Sequence, residues 1–323
     1  MIEQKPKVSF GLPVFNGEKY LHETIESILS QSFTDFELII SDNASTDRTE
    51  EICKEYAARD PRIRYSRNEA NIGGSRNQNL TIELATGKYF HIGSHDDLLS
   101  PDLLAKCVEV LENNPSVILC YSLLFEIDEC GKIIGTLEPA VLATSTKPDE
   151  RFHDLLKGHR VDFLYGLIRT DTLRRTELEP PYPQSDSIFA CELALYGQFQ
   201  KIPEYLYYRR THGGACTSLD LYGQLCWNQR ATQNVPKWIT SLLIQYYSYF
   251  GLFKLEASHF LRIIFRAPLT VKERSLCLLY AVIWLAKRHF RAPFWQLRQK
   301  IGLNRKQLKA FLETISGRVS SIH

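Results

Sequence analysis

The chain lacks a hydrophobic run able to cross a bilayer. Its longest charge-free apolar stretch, Ser275–Ala286, falls far short of the roughly twenty residues a transmembrane helix needs. It also lacks the apolar core of a secretory segment near its start. Met1–Lys7 is polar and leads directly into the strand-like Val8–Val14, so a cytosolic location is expected. The eight cysteines (Cys53, Cys107, Cys120, Cys130, Cys191, Cys216, Cys226, Cys277) show no paired two-residue spacing, which argues against a zinc ribbon or redox pair. Several sit at apolar positions, where a free thiol behaves as a small hydrophobe. There is no Gly-rich, Lys-bearing phosphate loop, no internal repeat and no low-complexity tract. Acidic residues are scarce toward the end. Residues 225–323 hold 16 Lys+Arg against 3 Asp+Glu, whereas 1–224 hold 23 against 34. The acidic front argues against nucleic acid as a partner, and the split suggests two regions with different surroundings.

What is present is an alternation of strand and helix signals over the first 130 residues, the pattern of a mainly parallel sheet covered by helices. Val8–Val14, Phe36–Ser41, Ile63–Ser66, Tyr89–Ile92 and Val117–Phe125 read as strands. Between them, Lys19–Gln31 and Asp47–Ala58 carry apolar residues at helical spacing, as do the stretches around Leu80 and Leu84 and from Leu103 to Leu111. From 131 to 185 the pattern weakens to a possible hairpin at Gly131-Lys132, a polar stretch and the loop Pro180-Pro181-Tyr182-Pro183. Helix signal resumes at Ser187–Tyr196.

The most informative run is Lys88 to Asp97, an apolar strand ending in two adjacent carboxylates. Acids delivered at the carboxyl end of a strand can present oxygens to a divalent cation and a phosphate ester. The same acids could instead favour the helix that Ser100-Pro101-Asp102 begins. Asp42 closes the second strand where a nucleotide would lie, and a carboxylate there can accept the N–H of uracil or thymine. Pro13, Phe15 and Asn16 would rim a base pocket, with Gly17 permitting the turn. Asp47 reads as a helix cap. Arg76 follows two glycines at a helix start, where its guanidinium could meet diphosphate oxygens. Asp186 opens a helix, as a cap or as the carboxylate that takes a proton from an attacking hydroxyl; Glu192 is the second choice for that base.

These residues together resemble the family 2 glycosyltransferases, which share the GT-A fold. The matching segments are Val8–Glu18, Ser41–Asp47, Asn71–Gly73 with Arg76-Asn77, Gly87–Tyr89 into His95–Asp97, and Ser185–Gly197 with Tyr208–His212. The resemblance covers about residues 8 to 215. It implies an α/β, Rossmann-like GT-A domain over 1–224 and a basic amphipathic helical region over 225–323. It implies an inverting transfer of sugar from a UDP- or dTDP-sugar to a hydroxyl of a saccharide or lipid-linked acceptor, in polysaccharide or glycolipid synthesis. The nucleotide would be held by Pro13, Phe15, Asn16, Glu18, Asp42, Asn71, Arg76 and Asp96. Asp97 would hold Mn²⁺ or Mg²⁺, completed by His212, and Asp186 would be the base. Ser94 and His95 replace the commoner Asp-x-Asp form, which leaves Asp97 as the one assured side-chain ligand. The alternatives are a metal-dependent nucleotidyltransferase and a non-catalytic membrane-associated scaffold.

The helices expected over Trp238–Phe265 and Leu276–Phe290 are amphipathic. Lys287–Arg291 and Arg298–Lys309 place basic residues among aromatics. Such helices suit either an anionic membrane surface, making the protein peripheral, or packing against the catalytic domain or a partner.

Overall fold

A computed structural model describes residues 5–138, 143–157, 161–182, 185–213 and 252–301. The domain boundary expected at 224/225, the stretch 238–251 and the basic residues beyond 301 lie outside the described residues.

Four strands, β1 (Val8–Val14), β2 (Phe36–Asp42), β3 (Ile63–Arg67) and β4 (Tyr89–Ile92), run parallel in the order β3-β2-β1-β4. Every residue of β2 is buried, as a strand covered on both faces demands. The chain winds outward from β1 to β3 and then returns to place β4 on the other side of β1. The carboxyl ends of β1 and β4 therefore flank a topological switch point, where such sheets open a crevice. The connecting helices are α1 (Leu21–Leu29), α2 (Thr49–Arg59) and α3 (Gly74–Leu84). The α1 face formed by Leu21, Thr24, Ile25 and Ile28 is buried, the i, i+3, i+4 stripe read from the sequence.

Beyond β4 the sheet is mixed. The remaining elements are β5 (Leu98–Leu99), α4 (Leu103–Asn113), β6 (Val117–Ile127), β7 (Ile133–Leu137), α5 (Pro148–Leu155), a 3₁₀ turn (Asp162–Tyr165), β8 (Leu167–Arg169), α6 (Thr170–Leu173), α7 (Ser185–Tyr196) and β9 (Gln198–Arg210). The strand β8 is antiparallel to both β4 and β6, β9 runs parallel to β6, and β5 pairs antiparallel with β9. The hairpin expected at Gly131-Lys132 is β6–β7, with Gly131 at φ 80°.

One apolar core lies against α1, α2 and α4 and another against α5–α7. A third joins α5 and α7 to α8 (Leu252–Arg266) and α9 (Val271–Ile301) through Phe152, Ile188, Phe260, Ile263 and Ala281. Among the described residues no helix is long and apolar enough to cross a membrane.

Candidate active site

The acid pair sits on a turn built for close approach. Gly93 leaves β4 so near β1 that a Cβ there would lie 2.4 Å from the Phe10 ring. Arg210, at the end of β9, then locks the turn. Its N–H donates to Asp97 Oδ1 at 2.7 Å and its Nε donates to the Asp96 carbonyl at 2.8 Å, while its Nη2 pairs with Glu23 at 2.7 Å. The other Asp97 oxygen accepts the Tyr207 hydroxyl at 2.8 Å. Both oxygens of Asp97 thus point at protein donors. Burial, with the neighbouring Asp96 charge, pushes its carboxyl well above the usual carboxylate range. Asp96 accepts the Ser94 hydroxyl on one oxygen and faces His212 Nε2 at 2.8 Å with the other. The His95 ring lies against Gly17, and its carbonyl accepts the Thr24 hydroxyl at 3.0 Å.

Asp96 and His212 thus form the carboxylate–imidazole pair of the site. Oxygen and imidazole nitrogen suit Mn²⁺, and oxygen suits Mg²⁺. Among the described residues no group of three His, Cys, Asp or Glu completes a protein-only site. A cation fits here only with donor oxygens and water filling its other positions. Asp96 and Asp97 each have both oxygens at protein partners, so either would reach a cation only by exchanging one of them.

The loops after β1, β2 and β3 are zipped into one edge. Asn16 holds φ 52°, accepts the Thr46 N–H at 2.8 Å and donates its own N–H to Ser45 Oγ at 2.9 Å. Glu18 accepts the Arg48 N–H at 3.0 Å and gives its N–H to Asp47, also at 3.0 Å. Asn43 accepts the Ile72 N–H at 2.8 Å and donates to Asn71 Oδ1 at 3.0 Å. Asp47 also accepts the Thr49 N–H at 3.0 Å, the capping role read from the sequence. Pro13 and Phe15 are half-buried along this edge. Asp42 is fully enclosed: Ser45 N–H and Tyr65 OH occupy its two oxygens at 2.8 and 3.0 Å, and Arg67 pairs with it at 3.3 Å. A base N–H could reach it only by displacing one of these donors. Arg76, in the first turn of α3, is exposed.

On the far side of the crevice Asp186 lies in the first turn of α7, where the Ser187 N–H donates to its Oδ1 at 2.8 Å. It is half-buried, and burial raises its carboxyl above the ordinary range. Glu192 is fully buried and both its oxygens receive the Glu177 N–H, at 3.1 and 3.0 Å, so it anchors the chain before α7. Tyr165 joins the two sides. Burial and then the charges of Asp97, Asp96, Asp162 and Asp186 all hold its hydroxyl well above the ordinary phenol range. The acids after β4 and the acid on α7, some ninety residues apart in sequence, therefore all bear on one hydroxyl.

The sequence reading missed Tyr165, Tyr207, Asp162 and Glu179. Nothing marks an interior tyrosine or a loop glutamate until the fold gathers them. Arg209 bridges Asp162 and Glu126 at 3.0 and 2.6 Å.

The sequence model for Glycosyl transferase family 2 matches residues 9–170, half of the 323-residue chain. An uncharacterised glycosyltransferase of Methanocaldococcus jannaschii is 40% identical over 137 residues, covering 42% of this chain and 47% of the relative. The putative glycosyltransferase EpsE of Bacillus subtilis is 38% identical over 147 residues, 44% of this chain and 53% of the relative. The chondroitin synthase of Escherichia coli is 34% identical over 135 residues, 42% of this chain and 19% of the relative. The chain thus spans about half or less of these curated relatives. Residues 1–349 of S. aureus TarS, crystallised with UDP, superpose with a TM-score of 0.55 at 18% identity, covering 93% of both chains.

Proposed function

The chain belongs to glycosyl transferase family 2, and from that premise we propose that it moves a sugar from a UDP- or dTDP-sugar to an acceptor hydroxyl, inverting the anomeric carbon. The observation that carries this reading is the Asp96–His212 pair on the acid turn after β4, at the switch point of the sheet. The zipped edge of Pro13, Phe15, Asn16, Glu18 and Asn71 takes the nucleoside, with Asp42 bracing the loop behind it. Asp96 and His212 face the diphosphate, and Arg76 supplies it with a planar, permanently charged donor. Asp96 and His212 would hold a divalent cation, whose charge would neutralise the departing diphosphate. Asp97 keeps the turn in shape through Tyr207 and Arg210.

Asp186 takes the proton from the acceptor hydroxyl as the new glycosidic bond forms. Its raised carboxyl makes it a stronger base than a solvated aspartate. A single base opposite the leaving group fits inversion. The acceptor is a saccharide or lipid-linked saccharide, in polysaccharide or glycolipid synthesis. The outer face of α8 and α9 exposes Leu261, Phe265, Leu279, Val282 and Ile283 beside Lys254 and Lys272, and that mixture suits an anionic membrane surface.

The experiment is a panel of UDP- and dTDP-hexoses and N-acetylhexosamines in Mn²⁺, with release of the nucleoside diphosphate, UDP or dTDP, as readout. Asp186→Asn is expected to lower turnover by about 10²- to 10⁴-fold while stabilisation by UDP stays as in wild type. Undiminished turnover in that variant removes Asp186 from its role. Thermal stabilisation by nucleoside triphosphates, but not UDP or dTDP, would point instead to a nucleotidyltransferase.

A further inference from the structure

Glu179 takes no part in the transfer described above, yet it stands where the donor side and the acceptor side of the crevice are fastened together. Its Oε1 accepts Ser75 Oγ, from the first turn of α3, at 3.1 Å, and Ser185 Oγ, the first residue of α7, at 3.2 Å. Its backbone is clipped to α3 as well. Asn79 Nδ2 donates to the Glu179 carbonyl at 2.8 Å, and the Glu179 N–H donates to Asn79 Oδ1 at 3.2 Å. Leu178, just before it, holds φ 60°, a conformation costing a non-glycine residue about 1–3 kcal/mol that surrounding contacts must sustain. A glutamate whose only task was solubility would need none of these fastenings.

We propose that Glu179 is a positioning residue for the sugar transfer: by bridging the first turns of α3 and α7 it fixes Asp186 relative to the donor-binding edge and shares one acidic corner with it as a coupled pair. This rests on Asp186 being the base.

The charges around the corner bear this out. Burial, and after it the Asp186 charge, push the Glu179 carboxyl up to about 7. Asp162 on the 3₁₀ turn raises Asp186 further, while Arg288 on α9 lowers it. Tyr165 on the 3₁₀ turn feels the Asp186 charge and Tyr182 in the intervening loop that of Glu179. Glu177, Arg262 and His259 form a separate cluster at the foot of the same loop. The Asp186 charge is one reason Glu179 holds its proton, so the two carboxyls are linked through that charge.

The test uses the full chain labelled with ¹³C at Asp and Glu carboxyls, in wild type, Glu179→Gln and Glu179→Ala. In wild type the Asp186 carbon is expected to show a second inflection near pH 7, and Glu179→Gln abolishes it. With the donor from the panel that wild type turns over, Glu179→Ala is expected to lower kcat at least about tenfold while the Kd for UDP changes by less than about threefold. Glu179→Gln, whose Oε1 can still accept both serine hydroxyls, restores most of kcat. Full kcat in Glu179→Ala, or an Asp186 titration identical in wild type and Glu179→Gln, overturns the proposal. An inactive Asp186→Asn beside a fully active Glu179→Ala refutes only the role of Glu179. Wild-type turnover by Asp186→Asn refutes the base assignment and this inference with it.

Discussion

At the residue scale, the carboxylates of this chain divide by what already occupies their oxygens. Asp42, Asp96, Asp97 and Glu192 have both oxygens at protein partners, whereas among the described residues Asp186 is bonded to Ser187 alone. The sequence offers all five as acids near strand ends or helix starts, and no spacing rule separates an anchor from a working group. The anchors carry a measurable signature. Burial pushes Glu192 up to about 8, against about 4.3 for an unfolded glutamate. The native state therefore keeps a proton that the unfolded state releases between those values, and this group makes stability fall as pH rises through that window. Urea midpoints at pH 5 and pH 8 are expected to differ less in Glu192→Gln than in wild type, by on the order of 1–3 kcal/mol. Equal slopes in the two proteins would refute the buried-acid assignment.

At the scale of elements, the β1–β4 half was legible because each strand and helix is long enough to show its period, and the covered strands are continuously apolar. The strands β5 and β8 were not. Two or three residues, Leu98–Leu99 and Leu167–Arg169, carry no periodicity, although β8 fills the gap between β4 and β6. The long strand β9 contains Pro203, and its register with β6 slips between Ser122 and Leu123, so alternation is broken where it would be read. Gly166 is what lets β8 in. A Cβ there would lie 2.2 Å from the Cys120 carbonyl oxygen, a backbone atom of β6. Its own carbonyl, meanwhile, receives His91 Nδ1 at 2.9 Å. Gly166→Ala is expected to cost about 1–3 kcal/mol or more, read as a lowered thermal midpoint. An unchanged midpoint would mean that β8 does not pack as described.

At the scale of the whole molecule, α8 and α9 pack on α5 and α7 with one face and leave another outside. The inner face also steadies the segment that leads into the base. Tyr182 OH meets His259 Nδ1 at 2.6 Å, and Arg262 Nε reaches both Glu177 oxygens at 2.9 and 2.8 Å. Packing against the catalytic domain, one of two readings of these helices, therefore describes the inner face. The outer face, with Leu261, Phe265, Leu279, Val282 and Ile283 exposed, bears on the other reading. Co-sedimentation with vesicles is expected to rise with anionic lipid content and to drop at least about tenfold on Phe265→Ser with Val282→Ser, since each removes apolar area from the contact. Binding indifferent to lipid charge would refute the membrane surface as partner.

The sequence by itself determined the parallel half of the sheet and the family resemblance, because these rest on local periodicity and short contiguous motifs. Only the tertiary structure decided which acids are tied up and which are placed for chemistry. It fastened Glu179 across the first turns of α3 and α7. Whether a carboxylate is an anchor or a base depends on donors and burial supplied by segments far away in the chain, and no local pattern records them.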